Sequence, residues 1–134
     1  MKKLLTATLT LAALAAPAFA EGDAAKGEKT FKKCKACHAI IADDGTVVFK
    51  GGKTGPNLYG VIGRVAGSTD FKYANGLEEA AAAEFVWTEE ALAAFIADPK
   101  GWLGDNGFAA KSKMSFKLKK GGEDVAAYLA SVAN

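Results

Sequence analysis

Apolar positions along this chain recur at helical spacing, in short runs separated by glycine-rich segments. Ala24, Gly27 and Phe31 follow Asp23 at intervals of three and four. The Asp23 carboxylate suits an N-cap, so a first helix is predicted to run toward residue 34. Leu77 to Ala83 is alanine-rich and reads as a short helix. The next helix is better marked: Thr88 caps it, Glu89 and Glu90 suit the positive end of its dipole, and Pro99 stops it after Asp98. Leu92, Phe95 and Ile96 form its apolar face. The last helix starts after Gly121-Gly122, and Val125, Tyr128, Leu129 and Val132 make an inward stripe. Between these lie connectors. Asp44-Gly45 and Gly51-Gly52 read as turns around Val47-Val48-Phe49, Gly55-Pro56 interrupts helix and strand alike, and Gly101 to Phe116 reads as a polar loop. No run alternates as a strand does. The expected fold class is all-α, with three main helices plus short helices and loops.

The first twenty residues carry a different pattern. Lys2 and Lys3 are followed by an apolar stretch, Leu4 to Ala16, and by Ala18-Phe19-Ala20, a small-x-small cleavage site. This reads as a secretory signal peptide over residues 1–20, leaving a single domain over 21–134. An uncleaved anchor is the alternative, although the stretch is short and rich in small residues for a membrane span. The whole chain has 17 basic and 15 acidic side chains, and loss of Lys2 and Lys3 would leave 15 of each. Such a balance gives a nucleic-acid partner nothing to hold. The distribution is less even: Lys32, Lys33, Lys35, Lys53, Lys111, Lys113, Lys117, Lys119 and Lys120 lie in sequence near the segments around Cys34, Pro56 and Met114, and Glu78, Glu79, Glu84, Glu89 and Glu90 lie in the middle. Solvated surface charge explains this as well as a dipole that steers partners does.

Five residues carry the chemistry. Cys34-Lys35-Ala36-Cys37-His38 spells C-x-x-C-H, the attachment pattern of a c-type haem. Two thiols three residues apart on one turn can each form a thioether with one haem vinyl group, and the imidazole that follows can reach the iron. Cys34 and Cys37 are the only cysteines, and His38 is the only histidine. A disulfide is the ordinary fate of two cysteines in an exported chain. A thioredoxin-like pair would want a βαβ setting, and a zinc site would find only three such ligands. The adjoining His38 favours haem. A chain with 15 glycines and short helices has few apolar side chains to bury, so a covalent porphyrin would supply the missing core. The haem-free chain is therefore expected to be largely unfolded.

The sixth ligand decides what such an iron can do. Apart from Met1, the one methionine is Met114, in the polar stretch Lys111-Ser112-Lys113-Met114-Ser115-Phe116-Lys117. A core gap-filler and an exposed loop residue are the bland readings. With no helical stripe for it to join, ligation is favoured. His/Met coordination raises the reduction potential and suits electron transfer.

The ordered set C-K-A-C-H, T-G-P-N-L, F-V-W-T-E-E, K-M-S-F and E-D-V-A-A-Y-L resembles a class I c-type cytochrome. Within that class it is most similar to the bacterial cytochrome c2 subgroup, near relatives of mitochondrial cytochrome c, from about Gly22 to the C-terminus. The resemblance implies the cytochrome c fold wrapped around one haem c, bound through Cys34 and Cys37, with His38 and Met114 as axial ligands. It implies that the Pro56 carbonyl accepts the imidazole proton and that Arg64, Tyr73 and Trp87 meet the propionates. It places Asn75 near a buried water on the Met side, Phe116 beside the exposed haem edge, and Gly27 and Phe31 against Tyr128 and Leu129. One departure stands out, since Phe95 occupies a position where many relatives carry a tyrosine near the Met sulfur. The loop before Met114 is also longer than in mitochondrial forms.

The implied activity is that of a soluble, monomeric carrier of single electrons in the periplasm, not an enzyme. Its donor would be a cytochrome bc complex and its acceptor a photosynthetic reaction centre or a terminal oxidase. Lys32, Lys33, Lys35, Lys53, Lys111, Lys113, Lys117 and Lys119 would ring the haem edge toward an acidic partner. The rivals are a sensor with an open sixth site for nitric oxide or carbon monoxide, and a peroxidase-type haem protein.

Overall fold

The computed structural model describes residues 21–133, so the signal-peptide reading lies outside the described residues. Helix α1 (Ala24–Phe31) begins where expected: the Asp23 carboxylate accepts from the Ala25 and Lys26 amides at 2.9 and 3.1 Å. Helix α5 (Gly122–Val132) crosses it in the most extensive helix contact of the molecule. Gly27 makes that crossing possible, because a Cβ there would lie 1.9 Å from the Asp124 carbonyl oxygen and 2.7 Å from the Tyr128 Cβ. Phe31 is fully buried beside Tyr128, with ring centroids 5.9 Å apart. Asp124 closes the junction by accepting the Asp23 amide at 2.7 Å.

Helix α2 (Asn75–Ala82) starts two residues earlier than the alanine run suggested. Helix α3 (Glu89–Ala97) is capped by the Thr88 hydroxyl, which accepts from the Ala91 amide at 3.1 Å, and it packs on α5. Two expectations are corrected. Pro99 does end α3, but it also opens helix α4 (Pro99–Asp105), so the segment from Gly101 is not all loop. The Asp98 carboxylate accepts the Gly101 amide at 3.2 Å, and a proline at the first helical position gives up only an N–H that the first turn leaves unpaired. The second correction is a small antiparallel hairpin, β1 (Ile40–Ile41) with β2 (Val47–Phe49). Strands of two and three residues are too short to show alternation. The outer edge of β1 is closed by one side chain: Asn57 accepts from the Ile41 amide at 2.9 Å and donates to the Ile41 carbonyl at 2.8 Å.

The core has two parts. One lies between α1, α3 and α5 around Phe31, Ile40, Val125 and Leu129. The other is a cluster of aromatic rings, in which Trp102 of α4 lies 5.1 Å from both Phe85 and Trp87, 5.7 Å from Phe95 and 6.3 Å from Phe108. Edge-to-face and tilted pairs of this kind bind α4 under α3. Between the two parts the chain leaves a cleft.

Candidate haem-binding site

The near wall of the cleft continues α1. The Cys34 amide donates to Phe31 O at 2.8 Å, and the Cys37 and His38 amides both return to Cys34 O, at 3.2 and 3.0 Å. One tight turn thus carries both sulfurs and the imidazole. Cys34 is half-buried and lines the cleft, whereas Cys37 is exposed. Burial pushes the Cys34 thiol up to about 11, with Cys37 adding to the shift and Lys33 opposing it. It is therefore a neutral thiol, which brings both the sulfur and the hydrogen that a vinyl group must take up.

His38 is 8% exposed, and its Nδ1 lies 2.8 Å from the Pro56 carbonyl oxygen. That oxygen can only accept, so the proton sits on Nδ1 and Nε2 keeps its lone pair, as metal ligation requires. Burial lowers the His38 pKa and the Pro56 bond opposes that shift, so the ring is neutral at pH 7. The approach needs Gly55, because a Cβ there would come within 2.4 Å of His38 Cε1. The T-G-P-N-L stretch therefore does two jobs: Gly55 and Pro56 seat the imidazole, and Asn57 clips the hairpin behind it.

The far wall is the segment between α4 and α5. Met114 lines the cleft, half-buried, and its amide donates to the Ser112 hydroxyl at 3.1 Å. The segment is hung from its ends, where Gly76 N meets Lys111 O at 3.1 Å and Leu118 N meets Ile96 O at 2.8 Å. Leu92, Phe95, Ile96, Val125 and Leu129 supply the apolar surface between the walls. Phe95 brings a bare ring, packed 5.1 Å from Trp87, and has no hydroxyl to offer the sulfur.

Of the residues singled out in the sequence, Cys34, His38, Pro56, Arg64, Tyr73, Trp87, Met114 and Phe116 all line this one cleft. Asn75 does not: it is exposed at the first position of α2, and Ala74 and Leu77 reach the cleft on either side of it. Leu58, Val61 and Leu118 line the cleft without having been anticipated. They lie in loops, where no periodicity marks a buried position. Leu58 alone had a signal, as the last residue of T-G-P-N-L.

The cleft fits a haem on its own chemistry. Apolar side chains from both walls line it, Phe31, Leu58, Val61, Leu92 and Leu129 among them. No carboxylate lines it. Arg64 does, half-buried, and its guanidinium finds only carbonyls among the described residues, Tyr59 O at 3.1 Å and Asn57 O at 3.4 Å. Burial lowers its pKa, yet an arginine stays charged, so the site holds a cation suited to a carboxylate. A propionate supplies one.

No family model matches the chain. It is 58% identical over 132 residues to cytochrome c2 of Rhodobacter capsulatus, covering 96% of both sequences. The solved structure of cytochrome c2 isolated from that organism superimposes with a TM-score of 0.81 at 58% identity, over 84% of this chain and all of the other. Ferric cytochrome c-550 of Paracoccus versutus superimposes with a TM-score of 0.81 at 55% identity, over 85% of this chain and all of the other. With Cys34 and Cys37 on one turn at the mouth of an apolar, arginine-edged cleft, these likenesses place the chain in the cytochrome c2 family of class I c-type cytochromes, electron carriers rather than enzymes, each with one covalently bound haem c.

Proposed function

We propose that His38 and Met114 would be the two protein ligands of the haem iron, and that the protein shuttles single electrons in the periplasm from a cytochrome bc complex to a photosynthetic reaction centre or a terminal oxidase. The observation that carries this reading is the meeting of the only histidine and the only methionine of the described residues in one cleft, with His38 Nδ1 already committed to Pro56. A haem so ligated supplies a reversible one-electron couple at raised potential. The chain does the rest. Pro56 orients the imidazole, and Arg64, Tyr73 and Trp87 offer donors at the propionates. The apolar residues of α3 and α5 keep water from the iron, and Phe116, 45% exposed, marks where an electron would leave. The cleft lining offers no second imidazole and no carboxylate to move protons to a peroxide.

Residues 1–20 act in this reading as a leader removed on export. In support, the isolated R. capsulatus protein is covered completely by 84% of this chain, whereas its full sequence pairs with 96% of it. The remaining monomer meets its partners through exposed lysines at Lys32, Lys33, Lys35, Lys53, Lys111 and Lys119. Small transient contacts of this kind have charge-steered on-rates, so the second-order rate with either partner falls as salt rises. A salt-independent rate would remove the lysine ring. The ligation itself is tested by optical spectroscopy of the ferric protein. A sulfur-to-iron charge-transfer band is expected in the unsubstituted chain and is lost in Met114→Ala. A high-spin ferric spectrum without substitution would overturn the reading.

A further inference from the structure

Tyr73 and Arg64 both line the cleft, within electrostatic reach of each other. The Tyr73 hydroxyl is already engaged by a residue that does not line the cleft. That partner is Thr69, half-buried four residues earlier, and the two hydroxyls bond to each other. Thr69 Oγ1 also receives the Phe71 amide at 3.3 Å, the turn that a threonine closes with the residue two places on. The Phe71 ring packs edge-on against Tyr73 at 5.1 Å, so the segment from Thr69 holds the tyrosine at both its ring and its tip. We infer that Thr69 is a positioning residue for the haem site: it donates to the Tyr73 hydroxyl and so leaves that hydroxyl's own hydrogen for a propionate.

The direction follows from counting hydrogens. An amide N–H can only donate, so Phe71 takes one lone pair of Thr69 Oγ1. Two hydroxyl hydrogens remain, and the bond between Thr69 and Tyr73 uses one of them. Among the described residues neither hydroxyl has another acceptor. If Tyr73 were the donor, its oxygen would offer only lone pairs to the cleft, and a carboxylate there would meet an acceptor. If Thr69 is the donor, the Tyr73 hydrogen is free, and a carboxylate is the group that satisfies it. Arg64 already suits the cleft to that charge. The row from Phe71 N–H through Thr69 O–H to Tyr73 O–H then points one way, and each donor in such a row strengthens the next.

The inference rests on the place of Tyr73 at the propionates proposed above, and the test separates the two. The holoprotein is titrated optically between its ferric and ferrous forms at about pH 8, where a carboxylate is ionised. A hydroxyl that donates to a propionate offsets part of its negative charge, and that charge favours ferric iron. Tyr73→Phe is therefore expected to raise the ferric-to-ferrous ratio at a fixed solution potential by roughly two- to fivefold. Thr69→Val and Thr69→Ala should shift it the same way by a smaller factor, and Thr69→Ser, which keeps the hydroxyl, should restore the original ratio. In the Tyr73→Phe background Thr69→Val should add nothing, because Thr69 acts only through Tyr73. As a second readout, proton NMR of the ferrous protein should show the Tyr73 hydroxyl hydrogen exchanging with water faster in Thr69→Val than in Thr69→Ser or the unsubstituted protein. A Tyr73→Phe shift with no Thr69→Val shift and no faster exchange overturns the role of Thr69 alone, as does a Thr69→Val shift that persists undiminished in the Tyr73→Phe background. An unchanged ratio in Tyr73→Phe overturns the propionate contact of Tyr73, and the role of Thr69 with it.

Discussion

The two walls of the cleft are built in opposite ways. The His38 wall is held mainly by backbone, with the Asn57 side chain clipping the hairpin behind it: one turn closed on Cys34 O, a carbonyl from Pro56, and a glycine against the ring, with the imidazole only 8% exposed. The Met114 wall has no regular structure between α4 and α5. It hangs from backbone bonds at Lys111 and Leu118 and is trimmed by side chains: the Glu79 carboxylate on the Ala109 amide, the Ser112 hydroxyl, the Lys113 ammonium on Lys72 O and the Lys117–Asp98 pair. Main-chain bonds and close packing leave few alternative states, whereas long side chains keep rotamer freedom that a contact must overcome. One wall of the cleft is therefore held stiffly and the other by parts that can let go.

The largest test removes what the walls share. Without haem, the apolar surface of α3 and α5 faces an open cleft, and the haem-free protein is expected to lose its cooperative thermal transition. A sharp calorimetric peak from haem-free protein would show that the walls stand alone. Next in size is a change confined to the stiff wall. Gly55→Val puts a side chain where even a Cβ would lie 2.4 Å from His38 Cε1, and should destabilise the holoprotein by roughly 1–3 kcal/mol in denaturant melts. If the loss is no greater than for Lys117→Gln on the other wall, the contrast in stiffness is wrong.

The smallest effect is a pH dependence of the yielding wall. The Gly101 amide, then Lys117, holds the Asp98 carboxyl below its ordinary value of 3.8. A carboxyl with a lower pKa folded than unfolded stabilises the fold above its ordinary pKa, and that contribution disappears as pH falls through the depressed folded value. Urea melts between about pH 5 and pH 2 should therefore show less acid destabilisation in Asp98→Asn than in the unsubstituted chain. Parallel curves would mean that the carboxylate adds nothing here.

Much of the fold was legible because its signals are local. Asp23 and Thr88 cap their helices by reaching amides two or three residues on, and the turn through Cys34, Cys37 and His38 closes within five residues. Where reading failed, a local sign had two meanings or none. Asp98-Pro99 ends one helix and starts another, and whether the chain continues helically depends on Trp102 and Leu103 finding the aromatic cluster. The hairpin exists because Asn57 closes its edge from sixteen residues away. Val61 and Leu118, cleft residues in loops, carry no local sign for the same reason.

By itself the order of residues determined the haem attachment, the sites of the helix caps and the pairing of one histidine with one methionine as available ligands. The first two follow from residue types at short, set spacings, and the third from the chain having one histidine and, apart from Met1, one methionine. Only the tertiary structure decided that Arg64 lines the cleft without a counter-ion among the described residues, that Asn75 faces outward, and that Lys113 reaches back to Lys72. Those outcomes depend on which distant segments the buried rings and the α1–α5 crossing bring together, and chain spacing holds no record of them.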